Sequence, residues 1–296
     1  KAVNVVPDHR ILIPSDVVLV ETNFRFSYEL MTQMIMNNLR QHFGDDVKNI
    51  MKDKNSIALF EDHSVWDTTG RFIPLINFQR SIASELGICL YKQREGLEGS
   101  EGICHTLIVE KGLLLPGELG IGTDSHTCPS GVLGALAIGI GATAMGCAFI
   151  TKDTLVEVPE TVCIAINGEL PKGCTSKDAM LSILANSYIS QGNGINKVFE
   201  FTGNGISNWS LDELSVLTNM SVEGGATTGI IPEPNEAVLS HLERVTGFSR
   251  KDLGGMFVKS DPEANFAHTI SLNLDEIEPM VATPGHPSNG VPLSGL

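Results

Sequence analysis

Ser56–Phe60 (SIALF) is a short apolar run that ends directly at Glu61-Asp62-His63, and this junction decides how the chain reads. A run of that length suits a buried strand better than a helix. Pro74 to Leu86 follows as an amphipathic helix, with its proline tolerable in the first turn, and Ile88–Tyr91 reads as the next strand. Upstream, residues 15–22 (SDVVLVET) form another apolar strand, and Tyr28 to His42 carries Leu30, Met31, Met34, Met36 and Leu39 at helical spacing. Leu107–Val109 and Leu119–Ile121 are short apolar segments, each beside a polar cluster. Strands alternating with helices at this spacing predict an α/β fold with a largely parallel sheet. In such folds chemistry gathers at strand ends.

Residues 131–150 (GVLGALAIGIGATAMGCAFI) carry no charge and include five glycines. The length would span a bilayer, but the Gly/Ala density and globular flanks predict one buried helix. Within it, Gly139 to Ala144 matches G-x-G-x-x-A, yet the Gly/Ala-rich residues before it make a poor Rossmann strand, which argues against a dinucleotide site. Beyond Leu155 the character changes. Glu157–Asn167 and Val198–Thr202 read as strands, while Ser176–Ser187, a segment starting at Leu211, and the stretch from Pro232 to Val245 read as helices. The expected organisation is a first subdomain over 1–155, a second over 156–278, and a Pro/Gly/Ser-rich, linker-like end over 279–296.

The 296 residues include 35 acidic and 20 basic side chains, a formal charge of −15. That balance argues against nucleic acid and anionic membranes as partners and leaves a small anionic substrate, held by local positive groups. The six cysteines contain no C-x-x-C pair. Reduced thiols in the cytoplasm or mitochondrial matrix are the expectation. The first residue is Lys1, so any targeting segment is unobservable.

Three of the eight histidines sit in company that suits proton chemistry: Asp62-His63, Cys104-His105 and Asp124-Ser125-His126. A carboxylate beside an imidazole orients its tautomer and raises its pKa. One such group alone suits a cap or a turn; three of them point to a shared pocket. Asp124, Ser125 and His126 are not a hydrolase triad, because strand neighbours face opposite ways. His63, His105 and His126 lack the short spacing typical of a zinc site. His9, His42, His241, His268 and His286 read as surface or structural, and Pro7-Asp8-His9-Arg10 carries no catalytic reading.

EGICH (101–105), LPG (115–117), GTDSHT (122–127) and GALAIGIG (134–141), preceded by Asp62-His63 and followed by NMSVEGGA (219–226), occur in that order. Together they resemble the aconitase / 3-isopropylmalate dehydratase large-chain family, over about residues 50 to 235. The resemblance implies a three-layer α/β/α fold in two subdomains and a hydro-lyase acting on a 2-hydroxy di- or tricarboxylate. It implies a 4Fe–4S cluster that binds the substrate hydroxyl, and histidine–carboxylate pairs made by Asp62 with His63, Asp124 with His105, and Glu223 with His126. By the same resemblance His63 donates the proton to the departing hydroxyl, Ser125 contacts a substrate carboxylate, and Asn219 stands behind the site.

Two departures from the family pattern stand out. The C-T-N and C-x-x-C segments that supply its cluster thiolates have no match here, so no cysteine is assigned as a metal ligand. The family's early substrate-binding glutamine has no counterpart in Phe26-Ser27-Tyr28-Glu29-Leu30. The chain therefore reads as the front part of a longer enzyme. Its cluster-binding and swivel domains, with the base serine and most substrate-binding arginines, or a small subunit, would complete the site. A catalytically silent ligand-binding or regulatory homologue and a cluster-free hydratase stay open as alternatives.

Overall fold

The computed structural model describes residues 12–93 and 100–296, so His9 and its neighbours lie outside the described residues. The first part runs β1 (Val17–Glu21), β2 (Phe24–Tyr28), α1 (Glu29–Phe43), the single turn α2 (Val47–Ile50), β3 (Ile57–Phe60), α3 (Ile73–Leu86) and β4 (Cys89–Tyr91). It continues through α4 (Cys104–Glu110), β5 (Leu119–Gly122), β6 (Leu136–Gly139), α5 (Ala142–Thr151) and β7 (Asp153–Glu157). Five strands form a parallel sheet in the order β4-β3-β2-β5-β6. The SIALF run shows why both faces are covered. Ile57 and Leu59 pack with Ile35, Met36 and Ile82 from α1 and α3, whereas Ala58 and Phe60 point the other way, onto Leu107 and Ile108 of α4. Successive strand residues alternate faces, so a sheet buried on both sides reads as an unbroken apolar run. Leu107–Val109 thus belongs to a helix.

β2 also carries Arg25, which is fully buried. Its guanidinium donates to the carbonyls of Ala148 and Asp53, each at 2.8 Å, and to the Ser56 hydroxyl. Ala148 lies in the last turn of α5, and its carbonyl already accepts the Lys152 N–H at 2.9 Å, so the buried guanidinium is its second donor. Burial pushes the Arg25 pKa down to about 10, against the opposing pull of Asp53.

The second part contains β8 (Thr161–Asn167), α6 (Ser176–Ala185), β9 (Val198–Thr202), α7 (Leu211–Asn219), β10 (Thr228–Ile230), α8 (Glu236–Thr246), α9 (Arg250–Met256), β11 (His268–Asn273), β12 (Met280–Ala282) and β13 (Gly290–Pro292). Its parallel sheet has the order β10-β9-β8-β11. Reciprocal capping boxes, Thr175 with Asp178 and Ser210 with Glu213, start α6 and α7. With helices on the sheets, this is the expected α/β/α architecture.

Three expectations change. Residues 131–150 are not one helix: a 3-10 turn (Cys128–Leu133), β6 and α5 divide them. The glycines explain the break, because they are where other backbone comes closest. A Cβ on Gly139 would stand 2.6 Å from the Asp124 carbonyl oxygen, and one on Gly131 would overlap the Gly229 carbonyl oxygen. The Gly/Ala-rich segment judged a poor strand is therefore strand β6, its small residues selected by crowding. Position 155 falls inside β7, which pairs antiparallel with β1, and Val109, Val132 and Leu133 belong to the core of the second sheet. The linker-like residues 279–296 contain the β12–β13 hairpin, anchored where Met280 N–H donates to Asp178 Oδ1 at 2.7 Å on α6. Gly and Pro there serve as turn residues.

Candidate active site

The sheet order reverses between β2 and β5, the position where open α/β sheets gather ligands beyond the carboxyl ends of their strands. β3 runs out into Asp62-His63 and β5 into Asp124-Ser125-His126. The latter three occupy a turn and not a strand. α4 contributes His105 from its first turn, and the 3-10 turn Met220–Gly224 after α7 contributes Glu223.

His63 bridges two carboxylates. Its Nδ1 lies 2.6 Å from Asp62 Oδ1 and its Nε2 lies 2.9 Å from Asp124 Oδ2. The remaining oxygens are also held: Asp62 Oδ2 accepts the Cys104 N–H at 2.5 Å, and Asp124 Oδ1 accepts the His126 N–H at 2.7 Å. The Cys104 amide is the first of α4, where unpaired N–H groups favour a negative charge. Across the site, His126 Nε2 meets Glu223 Oε1 at 3.2 Å, and Ser125 Oγ is 3.3 Å from His126 Nδ1. His105 Nδ1 stands 3.9 Å from Asp124 Oδ2, and its ring centroid is 6.3 Å from that of His126. Asp62, His63, His105, Asp124, Ser125, His126 and Glu223 thus form one constellation. Asp124 reserves its short contact for His63, whereas the resemblance pairs it with His105. Asn219 ends α7, and its side-chain oxygen is buried without a partner. It shares with His105 a groove of about 330 Å³.

These contacts set the proton affinities. Burial alone would depress the His63 pKa, but the hydrogen bonds to Asp124 and Asp62 outweigh it and push it up to about 10. Burial would raise both carboxyls, yet hydrogen bonds from His63 and from the Cys104 and His126 amides hold them below the usual range. His105 is displaced the other way, because burial disfavours its cation more than Asp124 and Asp62 restore it. The same site therefore favours the charged form of one imidazole and the neutral form of another, as acid–base chemistry requires of its donor and acceptor groups.

A sequence model of the aconitase family (aconitate hydratase) matches residues 27–296. The chain belongs to the aconitase family. It is 36% identical over 281 residues to 3-isopropylmalate dehydratase large subunit 1 of Pyrococcus furiosus, covering 95% of this chain and 62% of that protein. The 3-isopropylmalate dehydratase large subunit of Halothermothrix orenii is 34% identical over 281 residues, covering 95% and 63%. The chain thus spans less than two thirds of the length of these relatives. Among solved structures, holo-form aconitase X of Thermococcus kodakaraensis matches with a TM-score of 0.47 and 13% identity, over 87% of this chain and 58% of that one.

Within the aconitase family reading, the cysteines of this chain do not fit a 4Fe–4S cluster, which needs convergent thiolates. Cys104 and Cys128 are the two near the site, and burial pushes both thiols up, Cys128 to about 12. Cys89 and Cys147 are exposed, while Cys163 lies in β8 and Cys174 packs against the core of the second sheet. Cys104, His105 and Asp124, and likewise Asp62, His63 and Cys104, stand close enough to surround a single ion, but the carboxylates of both sets are already engaged with the His63 ring. The hollow above Asp124 and Ser125, of about 560 Å³, reaches Gly139, Gly141 and Thr227, and none of the described residues lining it is Arg or Lys. Among the described residues, no helix is long and apolar enough to cross a membrane.

Sequence reasoning passed over Tyr28 and Glu29, which touch the His63 loop. The available signal was an acid at a strand-to-helix junction. It also passed over His286, which shares with Glu223 a hollow of about 330 Å³. His241 is structural, with Nε2 2.8 Å from the Val109 carbonyl oxygen, and His268 stacks on Tyr188.

Proposed function

We propose that this chain is the histidine- and carboxylate-bearing part of a hydro-lyase that removes and adds water on a 2-hydroxy di- or tricarboxylate, of the 3-isopropylmalate dehydratase large-subunit type. The observation that carries the reading is the His63 imidazole spanning Asp62 and Asp124, opposite the His126–Glu223 pair, at the carboxyl ends of β3 and β5. Expelling hydroxide needs a proton at the departing oxygen. His63 is biased towards its cation. Its Nε2 proton, held by Asp124 in the resting site, passes to the departing oxygen when that oxygen takes the place of Asp124, while Asp62 on Nδ1 keeps the ring aimed. Neutral His105 and the His126–Glu223 pair orient the hydroxy acid, and the exposed Ser125 hydroxyl donates to one of its carboxylates. Asn219, whose side-chain oxygen is buried without a partner, stands behind these groups.

On this reading the 4Fe–4S cluster and the positive groups that neutralise the substrate belong to parts outside this chain: cluster-binding and swivel domains, or a small subunit such as the name "large subunit" implies for the relatives. The test assembles the chain with those parts and follows the ultraviolet absorbance of the unsaturated acid from 3-isopropylmalate, malate and citrate. His63→Ala is expected to lower turnover by about 10²-fold or more while the urea midpoint stays within the folded range. Binding of these acids without turnover in the assembled, iron-loaded protein would instead support a silent, ligand-binding homologue.

A further inference from the structure

Glu29 is the first residue of α1 and is completely buried. An acid in the first turn of a helix ordinarily serves its own amides, but this carboxylate reaches another segment. Oε1 accepts the Ser64 N–H at 2.6 Å and the Ser64 hydroxyl at 2.7 Å, and Oε2 accepts the Asp62 N–H at 3.2 Å. Those two amides flank His63, so one carboxylate grips the backbone on both sides of the imidazole. The preceding residue, Tyr28, lies against the ring itself, with centroids 3.8 Å apart and planes 17° from parallel. Buried polar contacts back this pair: the Thr32 hydroxyl lies 2.5 Å from Gln79 Oε1 and 3.0 Å from the Tyr28 carbonyl, its single proton serving the two acceptors, and Gln79 Nε2 donates to the Phe60 carbonyl at 2.8 Å. The end of β3, the start of α1 and the histidine loop are thereby locked to one another.

We infer that Tyr28 and Glu29 are the positioning residues of this site: Glu29 sets the backbone on which His63 stands, and Tyr28 sets the plane of its ring. Without both, the imidazole would not meet Asp62 and Asp124 at once. The role of His63 as proton donor rests on the hydro-lyase reading; its placement does not. The titratable groups facing it are Asp62, Asp124 and Tyr28, with Cys104 and His105 from α4. A cation on the face of a tyrosine ring is favoured, so the stack and the clamp both support the protonated ring.

The test is an NMR titration of the chain with labelled histidine, His63 being identified by the signals lost in His63→Gln. In the unsubstituted chain its midpoint is expected well above that of a free imidazole, since Asp124 and Asp62 push its pKa up to about 10. Glu29→Gln and Tyr28→Leu are each expected to lower that midpoint by about one pH unit, tenfold in the protonation equilibrium, whereas Tyr28→Phe keeps the stack and the midpoint. Ser64→Ala removes only the hydroxyl bond to Glu29, gives a smaller fall, and stays readable if Glu29→Gln does not fold. Urea midpoints on the same samples separate the alternatives. Lost stability with an unmoved His63 midpoint in Tyr28→Leu and Ser64→Ala would make these residues merely structural and overturn the inference. A fall in Tyr28→Phe equal to that in Tyr28→Leu would overturn the role of the stack. Absence of turnover in the assembled enzyme would count against the hydro-lyase reading and leave this titration to decide the positioning.

Discussion

Replacing Asp124 by asparagine removes one charge from the His63 bridge while keeping the side chain's shape and the oxygen that accepts the His126 amide. At the observed 2.9 Å, Coulomb's law gives about 1.4 kcal/mol in a water-like medium and about 6 kcal/mol at an effective dielectric of 20. The His63 side chain is 30% exposed and keeps Asp62 at 2.6 Å, so the lower part of that range applies. We expect a loss of about 1.5–3 kcal/mol, equivalent to a fall of about one to two units in the His63 pKa. The sign follows from linkage. His63 is raised on folding from 6.5 to about 10, so its stabilisation is fully present below pH 6.5 and is lost as pH rises through about 10. The gap in unfolding free energy between the unsubstituted chain and Asp124→Asn should therefore be widest at pH 6 and close towards pH 10. Urea unfolding at a series of pH values measures the gap, and a histidine NMR titration measures the midpoint. A gap that stays constant across that range, with His63 titrating unchanged in the variant, would refute the bridge.

Gly131→Ala would force a methyl group onto the Gly229 carbonyl oxygen, at the point where Ile231 N–H also bonds the Gly131 carbonyl; a loss of about 3 kcal/mol is expected, and an unchanged urea midpoint would show that the seam yields. Cys104→Ser combined with Cys128→Ser should cost about 1–3 kcal/mol through buried hydroxyls while iron and labile sulfide in the assembled enzyme stay constant; a fall in either would make these thiols ligands. Glu223→Gln breaks a pair whose side chains are 33% and 32% exposed, so stability should change by less than about 1 kcal/mol. Turnover of the assembled enzyme should nevertheless drop by about 10²-fold, and unchanged turnover would remove Glu223 from the site.

Much of the fold was legible because its causes are local. SIALF reads as a strand, since five residues suffice to show its apolar character, and α6 reads as a helix from the Ser and Asp at its start, beside which the structure adds the Thr175 cap. The reading failed where a residue answers to something distant. Gly131 and Gly139 look like helix-packing glycines until the Gly229 and Asp124 carbonyls are seen against them. The Pro/Gly composition of 279–296 suggests a linker, but Met280 finds Asp178, 102 residues away.

The site divides in the same way. Residue identities were sufficient to nominate Asp62, His63, His105, Asp124, Ser125 and His126, because each motif is contiguous and its chemistry belongs to its side chains, and the family resemblance added Asn219 and Glu223. Which carboxylate each imidazole meets was decided only by the tertiary structure. It depends on the β2–β3 and β2–β5 registers and on where α1 begins, and those are set by packing across the sheet. Thus His63 is shared between Asp62 and Asp124, and Glu29 and Tyr28, unremarkable in the sequence, hold it there.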